Sequence, residues 1–173
     1  MPCHQGRAPR AFTVIELLIV VMILGILAML VVPTFVTTDE PARGGALREC
    51  LRFMRTQIEL YAGQHDGLAP GYPGGDRLAV PTEAAFVEQL TSYSDKYGTT
   101  SPGFSPATPI KPYLREIPAN PFNGLESVRV LGDAETFPAP TGETWGWFYH
   151  PATRTFKANT ADADDAGRSY SDY

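Results

Sequence analysis

The side chains that carry most enzyme chemistry are scarce in this sequence. It has three histidines and two cysteines, and it contains no Gly-x-Ser-x-Gly turn, no His-x-x-x-His pair and no phosphate-binding glycine loop. We therefore expect that the protein is not an enzyme and holds no catalytic cofactor. Its 14 basic side chains are outnumbered by 19 acidic ones, giving a net charge of −5, and they form no basic patch. This balance excludes the usual signature of a nucleic-acid partner.

Charge is also missing from one long stretch near the start of the chain. Between Phe12 and Thr38 the only ionisable side chain is Glu16, and Leu17 to Val32 is apolar except for Gly25. A helix rising about 1.5 Å per residue over this stretch has the length that crosses a bilayer. A lone carboxylate near the membrane costs roughly 2.5 to 3.5 kcal/mol on insertion scales, so Glu16 needs a functional reason.

The residues on either side of this stretch predict its orientation. Met1 to Ala11 has no apolar run and carries Arg7 and Arg10, so the apolar stretch is not the core of a removed secretory signal peptide. Basic residues precede the stretch and acidic residues follow it at Asp39 and Glu40. The positive-inside rule then predicts a single-pass protein with a cytoplasmic amino terminus and an extracytoplasmic domain.

The run from Arg10 to Ala28, RAFTVIELLIVVMILGILA, resembles the class III signal of type IV prepilins and type II secretion pseudopilins. That signal has a short basic leader, a cut just before Phe, Glu four residues later and Pro about twenty residues on. Phe12, Glu16 and Pro33 lie at those positions, while Ala11 replaces the Gly that the family prefers before the cut.

This resemblance implies a specific processing and assembly route. Prepilin peptidase would cut between Ala11 and Phe12 and methylate the new amine of Phe12, and Glu16 would serve assembly. The implied partners are copies of the chain and other pilins or pseudopilins in a filament, together with an inner-membrane assembly platform. The implied location is the bacterial inner membrane, with the domain in the periplasm.

Loss of the leader also changes the cysteine count. It removes Cys3, leaves Cys50 alone and excludes an internal disulfide in the processed chain. We interpret Cys50 as a small, buried apolar residue rather than a reactive thiol.

The sequence predicts an α+β, pilin-like fold, in which a long N-terminal helix packs on a small loop-rich domain with a C-terminal antiparallel β-sheet. The chain divides into five segments. These are a leader (1–11), a transmembrane and assembly helix (12–38), an amphipathic part of the same long helix (39–66), a globular domain (67–159) and an acidic tail (160–173). The amphipathic part carries a stripe at helical spacing that should pack on the domain: Leu47, Leu51, Met54, Ile58 and Tyr61. Gly25, Pro33 and the Gly44-Gly45 pair are positions where the rod could bend. His65-Asp66-Gly67 predicts helix termination in a solvated turn.

The globular domain has three recognisable pieces. A short helix should begin after Thr82, and a strap over 111–124 should be anchored by Tyr113, Leu114, Ile117 and Phe122. A strand is expected at 127–131, followed by an antiparallel hairpin of 144–150 and 154–159 with Trp145, Trp147 and Tyr149 on one face. We expect this aromatic face to be core rather than a ligand platform. The strap, the hairpin and the Tyr61, Asp66-Gly67 and Pro70 positions resemble major pseudopilins.

The tail offers weak candidates for a metal site. Asp162, Asp164 and Asp165 supply the oxygen ligands that calcium prefers, and major pseudopilins bind calcium in a loop near the carboxyl terminus. This chain lacks the longer glycine- and aspartate-rich loop of that family, so a disordered acidic tail without a metal is the favoured expectation.

Two alternatives to a major pseudopilin remain open at this point. Within the same architecture, the chain could be a type IV pilin or a minor pseudopilin. From a different class, it could be a membrane-tethered extracytoplasmic binding module whose aromatic hairpin holds a ligand, in which case Glu16 has no role.

Overall fold

The computed structural model describes residues 12–36 and 39–173. They form three α-helices: α1 (Val14–Val36), α2 (Asp39–Gln64) and α3 (Glu83–Thr91). The strands are β1 (Tyr93–Ser94), β2 (Thr100–Ser101), β3 (Val128–Val130), β4 (Trp147–His150) and β5 (Thr155–Ala158). The chain divides into two compact units, one before and one after the junction of Glu40 and Pro41. The α+β class predicted from the sequence is confirmed at this level.

The first unit contains α1, which is helical through both Gly25 and Pro33. Its large hydrophobic side chains from Phe12 to Leu27 are between 49% and 85% exposed. In the part of the chain that the structure describes, no helix meets the length and hydropathy needed to span a membrane.

The second unit is built on the predicted apolar stripe of α2. Leu47, Leu51, Met54, Ile58 and Tyr61 are each no more than 1% exposed, and they pack into one core with α3 and the sheet of β3, β4 and β5. Cys50 lies partly buried beside this core and is a free thiol. The packing function assigned to the stripe is therefore confirmed.

The three-stranded sheet differs from the antiparallel sheet that the sequence predicts. Strands β4 and β5 pair antiparallel, as the hairpin pattern indicates, but β3 pairs parallel to β4. The order is β3-β4-β5, so the sheet is mixed. The chain between β3 and β4 runs from Leu131 to Gly146, which is long enough to cross back and enter β4 in the same direction as β3.

Two of the three aromatic side chains expected on one face of the hairpin, Trp147 and Tyr149, form the centre of the core. The third, Trp145, precedes β4, is half-buried and lies outside that core, so the prediction was wrong for this residue. Trp147 and Tyr149 are fully buried, and the ring of Phe86 from α3 lies 4.5 Å from that of Tyr149. The indole nitrogen of Trp147 donates a hydrogen bond to the Pro118 carbonyl at 2.8 Å, tying the strap to the sheet. Because Trp147 and Tyr149 are buried, they cannot contact a ligand, which weakens the alternative of a binding platform on this face.

The short helix and the strap lie as predicted. Thr82 caps α3 by accepting a hydrogen bond from the Ala85 backbone at 3.2 Å. Leu114 and Ile117 are buried in the core of the second unit. The other two anchors of the strap, Tyr113 and Phe122, pack partly buried against the same core.

The acidic tail is ordered, contrary to the sequence-based expectation of disorder. Ala163 bridges to Ser169, and Tyr170 is buried against α2. The contact depends on Gly44, because a Cβ atom there would overlap the Tyr170 hydroxyl oxygen. Gly44 is thus a close-packing position inside a continuous helix rather than a bend. The prediction failed because the contact joins residues far apart in sequence.

His65 is likewise buried rather than solvated. It is 1% exposed, its ring stacks on Tyr61 with centroids 3.7 Å apart, and its Nδ1 lies 2.7 Å from the Tyr61 carbonyl oxygen. Because a carbonyl only accepts, Nδ1 carries the proton and Nε2 accepts from the Ser94 hydroxyl at 3.0 Å. Burial lowers the pKa of His65, against the opposing effects of the Tyr61 carbonyl and of Asp95.

This lowered pKa predicts a pH-dependent stability. The unfolded chain takes up the His65 proton near pH 6.5, before the folded chain does, so the contribution of His65 is present above that pH and is lost as the pH falls below it. The unfolding free energy of the full chain in detergent should fall on acidification from pH 7.5 to 5. The unfolding free energy of the His65→Gln variant should fall less, because glutamine keeps a hydrogen-bonding side chain but does not titrate in this pH range. Identical pH profiles for the two proteins would contradict this assignment.

Candidate assembly site at the start of the first helix

The first turn of α1 is closed by a reciprocal set of hydrogen bonds between Thr13 and Glu16. The Glu16 Oε2 atom accepts from the Thr13 backbone nitrogen at 2.9 Å and from the Thr13 hydroxyl at 2.8 Å. The Thr13 hydroxyl oxygen accepts from the Glu16 backbone nitrogen at 3.4 Å. This is the capping-box arrangement, with Thr13 before the helix and Glu16 at its third position. The sequence Thr13-Val-Ile-Glu16 therefore fixes where α1 begins.

The capping box holds the Glu16 carboxylate in place but uses only one of its two oxygen atoms as an acceptor. Among the described residues, Oε2 of Glu16 makes hydrogen bonds and Oε1 has no partner. The side chain lies on the surface of its unit. Glu16 can therefore cap its own helix and still accept a cation from outside.

Phe12 immediately precedes this turn and is 85% exposed. The predicted cut lies between Ala11 and Phe12, and Ala11 lies outside the described residues. The residue that would become the new amino terminus therefore lies one residue before the capping box and four residues before its carboxylate.

The sequence analysis missed the role of Thr13. The signal was present, because a Thr followed three residues later by Glu at the start of an apolar run is the pattern of a capping box. The carboxylate of Glu16 is the lone charge of the stretch, but it has a local hydrogen-bond partner in Thr13.

Two of the three candidate aspartates of the tail, Asp162 and Asp164, are held by the protein's own hydrogen-bond donors. Asp164 Oδ1 accepts from the Ala166 and Arg168 backbone nitrogens, both at 2.9 Å, and Oδ2 accepts from the Tyr173 hydroxyl. The Tyr173 bond is the main cause of the lowered pKa of Asp164. Asp162 accepts from the Thr160 hydroxyl at 2.6 Å.

The structure does not bring Asp162, Asp164 and Asp165 together as a ligand set. Within residues 12–36 and 39–173, no group of three or more acidic, histidine or cysteine side chains could hold a metal ion. The observed bonds make Asp164 the centre of a turn that orders the tail.

The comparisons with known proteins bear on the amino-terminal segment. Residues 6–32 match the prokaryotic N-terminal methylation motif, and this range contains Ala11, Phe12 and Glu16. No curated protein and no solved structure matches the chain. The motif indicates a membrane-anchored, type IV pilin-like or pseudopilin precursor that prepilin peptidase processes.

Proposed function

We propose that this chain is a structural subunit of a type II secretion pseudopilus, without catalytic activity or a required metal. The observation that carries the proposal is the methylation motif around a charged capping box at the start of an apolar helix. The resemblance of the strap and hairpin to major pseudopilins favours this system over a type IV pilus. The burial of Trp147 and Tyr149 weighs against a tethered binding module.

Processing would create the second charge of the site. Cleavage between Ala11 and Phe12 on the cytoplasmic side leaves an α-ammonium on Phe12, and N-methylation keeps that charge. The leader removed in this step contains Arg7 and Arg10, so the mature chain keeps 12 basic against 19 acidic side chains, a net −7. The remaining domain would lie in the periplasm.

Assembly would then join Glu16 of one copy to the Phe12 ammonium of a neighbour. The open Oε1 atom of Glu16 is available for this contact while Oε2 keeps the capping bonds. In a low-dielectric helical bundle, either charge alone is costly, so the pair sets the register between copies. Because the two partners are different groups, the contact repeats head to tail and gives an open filament.

The choice of secretion system can be tested by reconstitution. The chain, expressed with prepilin peptidase and the assembly platform of a type II secretion system, should appear in the sheared filament fraction. The same chain with a type IV pilus platform should appear there at a much lower level. Filaments with the pilus platform alone would contradict the pseudopilus proposal and support a type IV pilin.

A further inference from the structure

An open groove runs along one side of α2, and its lining contains three arginines together with Leu51, Thr56, Glu59 and Tyr173. It has a volume of about 590 Å³, and Arg48, Arg52 and Arg55 surround the buried Leu51 and the ring of Tyr173. We call this surface the arginine groove. The three arginines recur at helical spacing, so their guanidinium groups lie along one flank of the helix.

The positive charge of the groove is only partly compensated. Arg55 donates to the Phe156 carbonyl at 2.9 and 3.2 Å, and Arg48 donates to the Tyr173 hydroxyl at 3.3 Å. In residues 39–173, neither arginine has a carboxylate within ion-pair distance. Arg52 pairs with Glu49 at 2.9 Å, but both side chains are more than two-thirds exposed, so this pair is weak. The one carboxylate in the groove's lining, Glu59, pairs with Arg154 at 3.0 Å, and Arg154 is not among the lining residues. Among the described residues, Arg48 and Arg55 therefore have no ion-pair partner, and the groove carries a net positive charge.

A second surface on the same unit has the opposite character. The Ser127 hydroxyl donates to the Thr144 carbonyl at 3.1 Å, which holds the loop before β3 against the loop before β4. The neighbouring Glu126 and Glu143 are exposed, and among the described residues their carboxylates have no hydrogen-bond or ion-pair partner. Trp145 is half-buried beside them. We call Glu126, Glu143 and Trp145 the acidic edge.

A strained residue lies between Glu143 and Trp145 of the acidic edge. Thr144 has φ +64°, which is unfavourable for a β-branched side chain. Such strain persists where the surrounding structure fixes it, and it is concentrated at functional surfaces.

We propose that the acidic edge of one copy docks into the arginine groove of a neighbouring copy, an inference that rests on the proposed filament. The carboxylates of Glu126 and Glu143 would meet the guanidinium groups, and Trp145 would pack on the partly exposed ring of Tyr173. Copies of a chain with net charge −7 repel one another unless a basic surface meets an acidic one. Since groove and edge are different surfaces, the contact is heterologous and repeats along an open assembly.

A charge swap tests this contact. Arg52→Glu and Glu143→Arg should each lower the fraction of the full chain in sheared filaments by more than about tenfold, because like charges then face each other. The double variant should restore most of the wild-type fraction. Arg115→Glu is the matched control, because Arg115 is exposed, lies outside the groove and should leave the fraction unchanged.

Disulfide trapping gives a readout that does not need filaments. Two tagged chains, both with Cys3 and Cys50 changed to Ser, are co-expressed, one with Thr56→Cys in the groove and one with Glu126→Cys in the edge. A cross-linked heterodimer is expected, and replacing Glu126→Cys by the control Glu116→Cys should abolish it.

The outcomes separate this inference from the proposed function. The docking contact would be overturned if the wild-type chain forms filaments and the single variants enter them at the wild-type level. It would also be overturned if the double variant does not regain the wild-type filament fraction. Both results would leave the pseudopilus proposal standing. A specific cross-link without wild-type filaments would support the contact and overturn the pseudopilus. A third result would also contradict the proposal: Arg52→Glu reduces binding of the full chain to anionic phospholipid vesicles, while Glu143→Arg leaves the filament fraction unchanged. The groove would then face the membrane rather than a neighbouring copy.

Discussion

Replacing Glu16 with alanine is expected to abolish incorporation into filaments while processing and membrane insertion continue. The variant leaves the Phe12 ammonium of a neighbouring copy without its carboxylate in a low-dielectric bundle. Breaking a buried pair in this way costs about 3 kcal/mol or more, which is about a hundredfold in the association equilibrium. The measurement is the ratio of chain in sheared filaments to chain in membranes, with the leader's removal followed by mass.

Two further variants separate the assembly charge from the capping box. Glu16→Gln keeps an oxygen that can accept the Thr13 hydrogen bonds but removes the charge, so it should fail in assembly as fully as the alanine variant. Thr13→Val removes the hydroxyl and keeps the charge, so it should assemble far better than either. Normal filaments from Glu16→Gln would show that Glu16 acts only as a helix cap.

Replacing Asn159 with alanine is expected to produce a large loss of stability in the globular unit. Asn159 is fully buried, and its side-chain amide makes four hydrogen bonds, two as acceptor and two as donor. The oxygen accepts from the Thr141 and Gly142 nitrogens at 2.8 and 3.1 Å. The nitrogen donates to the Glu143 and Trp145 carbonyls at 3.0 and 2.8 Å. Leaving four backbone groups without this partner should cost about 3 kcal/mol or more.

The test is denaturant unfolding of the full chain in detergent. Asp165→Ala is the matched control, because aspartate has nearly the size of asparagine and Asp165 is exposed. Its side chain makes no hydrogen bond in the described residues, so a change within about 0.5 kcal/mol is expected for the control. A loss of less than about 1 kcal/mol for Asn159→Ala would show that water replaces the amide, and the Asn159 network would then not be a main determinant of stability.

Local pattern was sufficient for much of the fold. The α2 stripe, the cap at Thr82, the anchors of the strap and the β4–β5 hairpin each depend on residues close in sequence, and each is found as predicted. Periodicity and capping report on such neighbours directly.

In the globular unit, the main misses involve contacts between distant parts of the chain. The parallel pairing of β3 with β4 depends on the path of a long connection, and the order of the tail depends on Tyr170 meeting Gly44. His65 is buried because Tyr61 and Ser94 enclose it from two elements. No pattern within a short window carries this information.

The candidate site was also predictable from the sequence only in part. Phe12 and Glu16 stand out in the sequence, and the Thr13 cap could have been found from its spacing. The partner that completes the proposed site belongs to another copy, and the groove and edge become visible only once distant loops are brought together.

The most direct test of the central claim is amino-terminal sequencing combined with intact mass. The protein would be recovered from membranes of a host that carries prepilin peptidase. The account predicts a mature chain that begins at N-methylated Phe12, with the leader through Ala11 removed. A chain that still begins at Met1 would contradict the account and would make a plain membrane-tethered module the leading explanation.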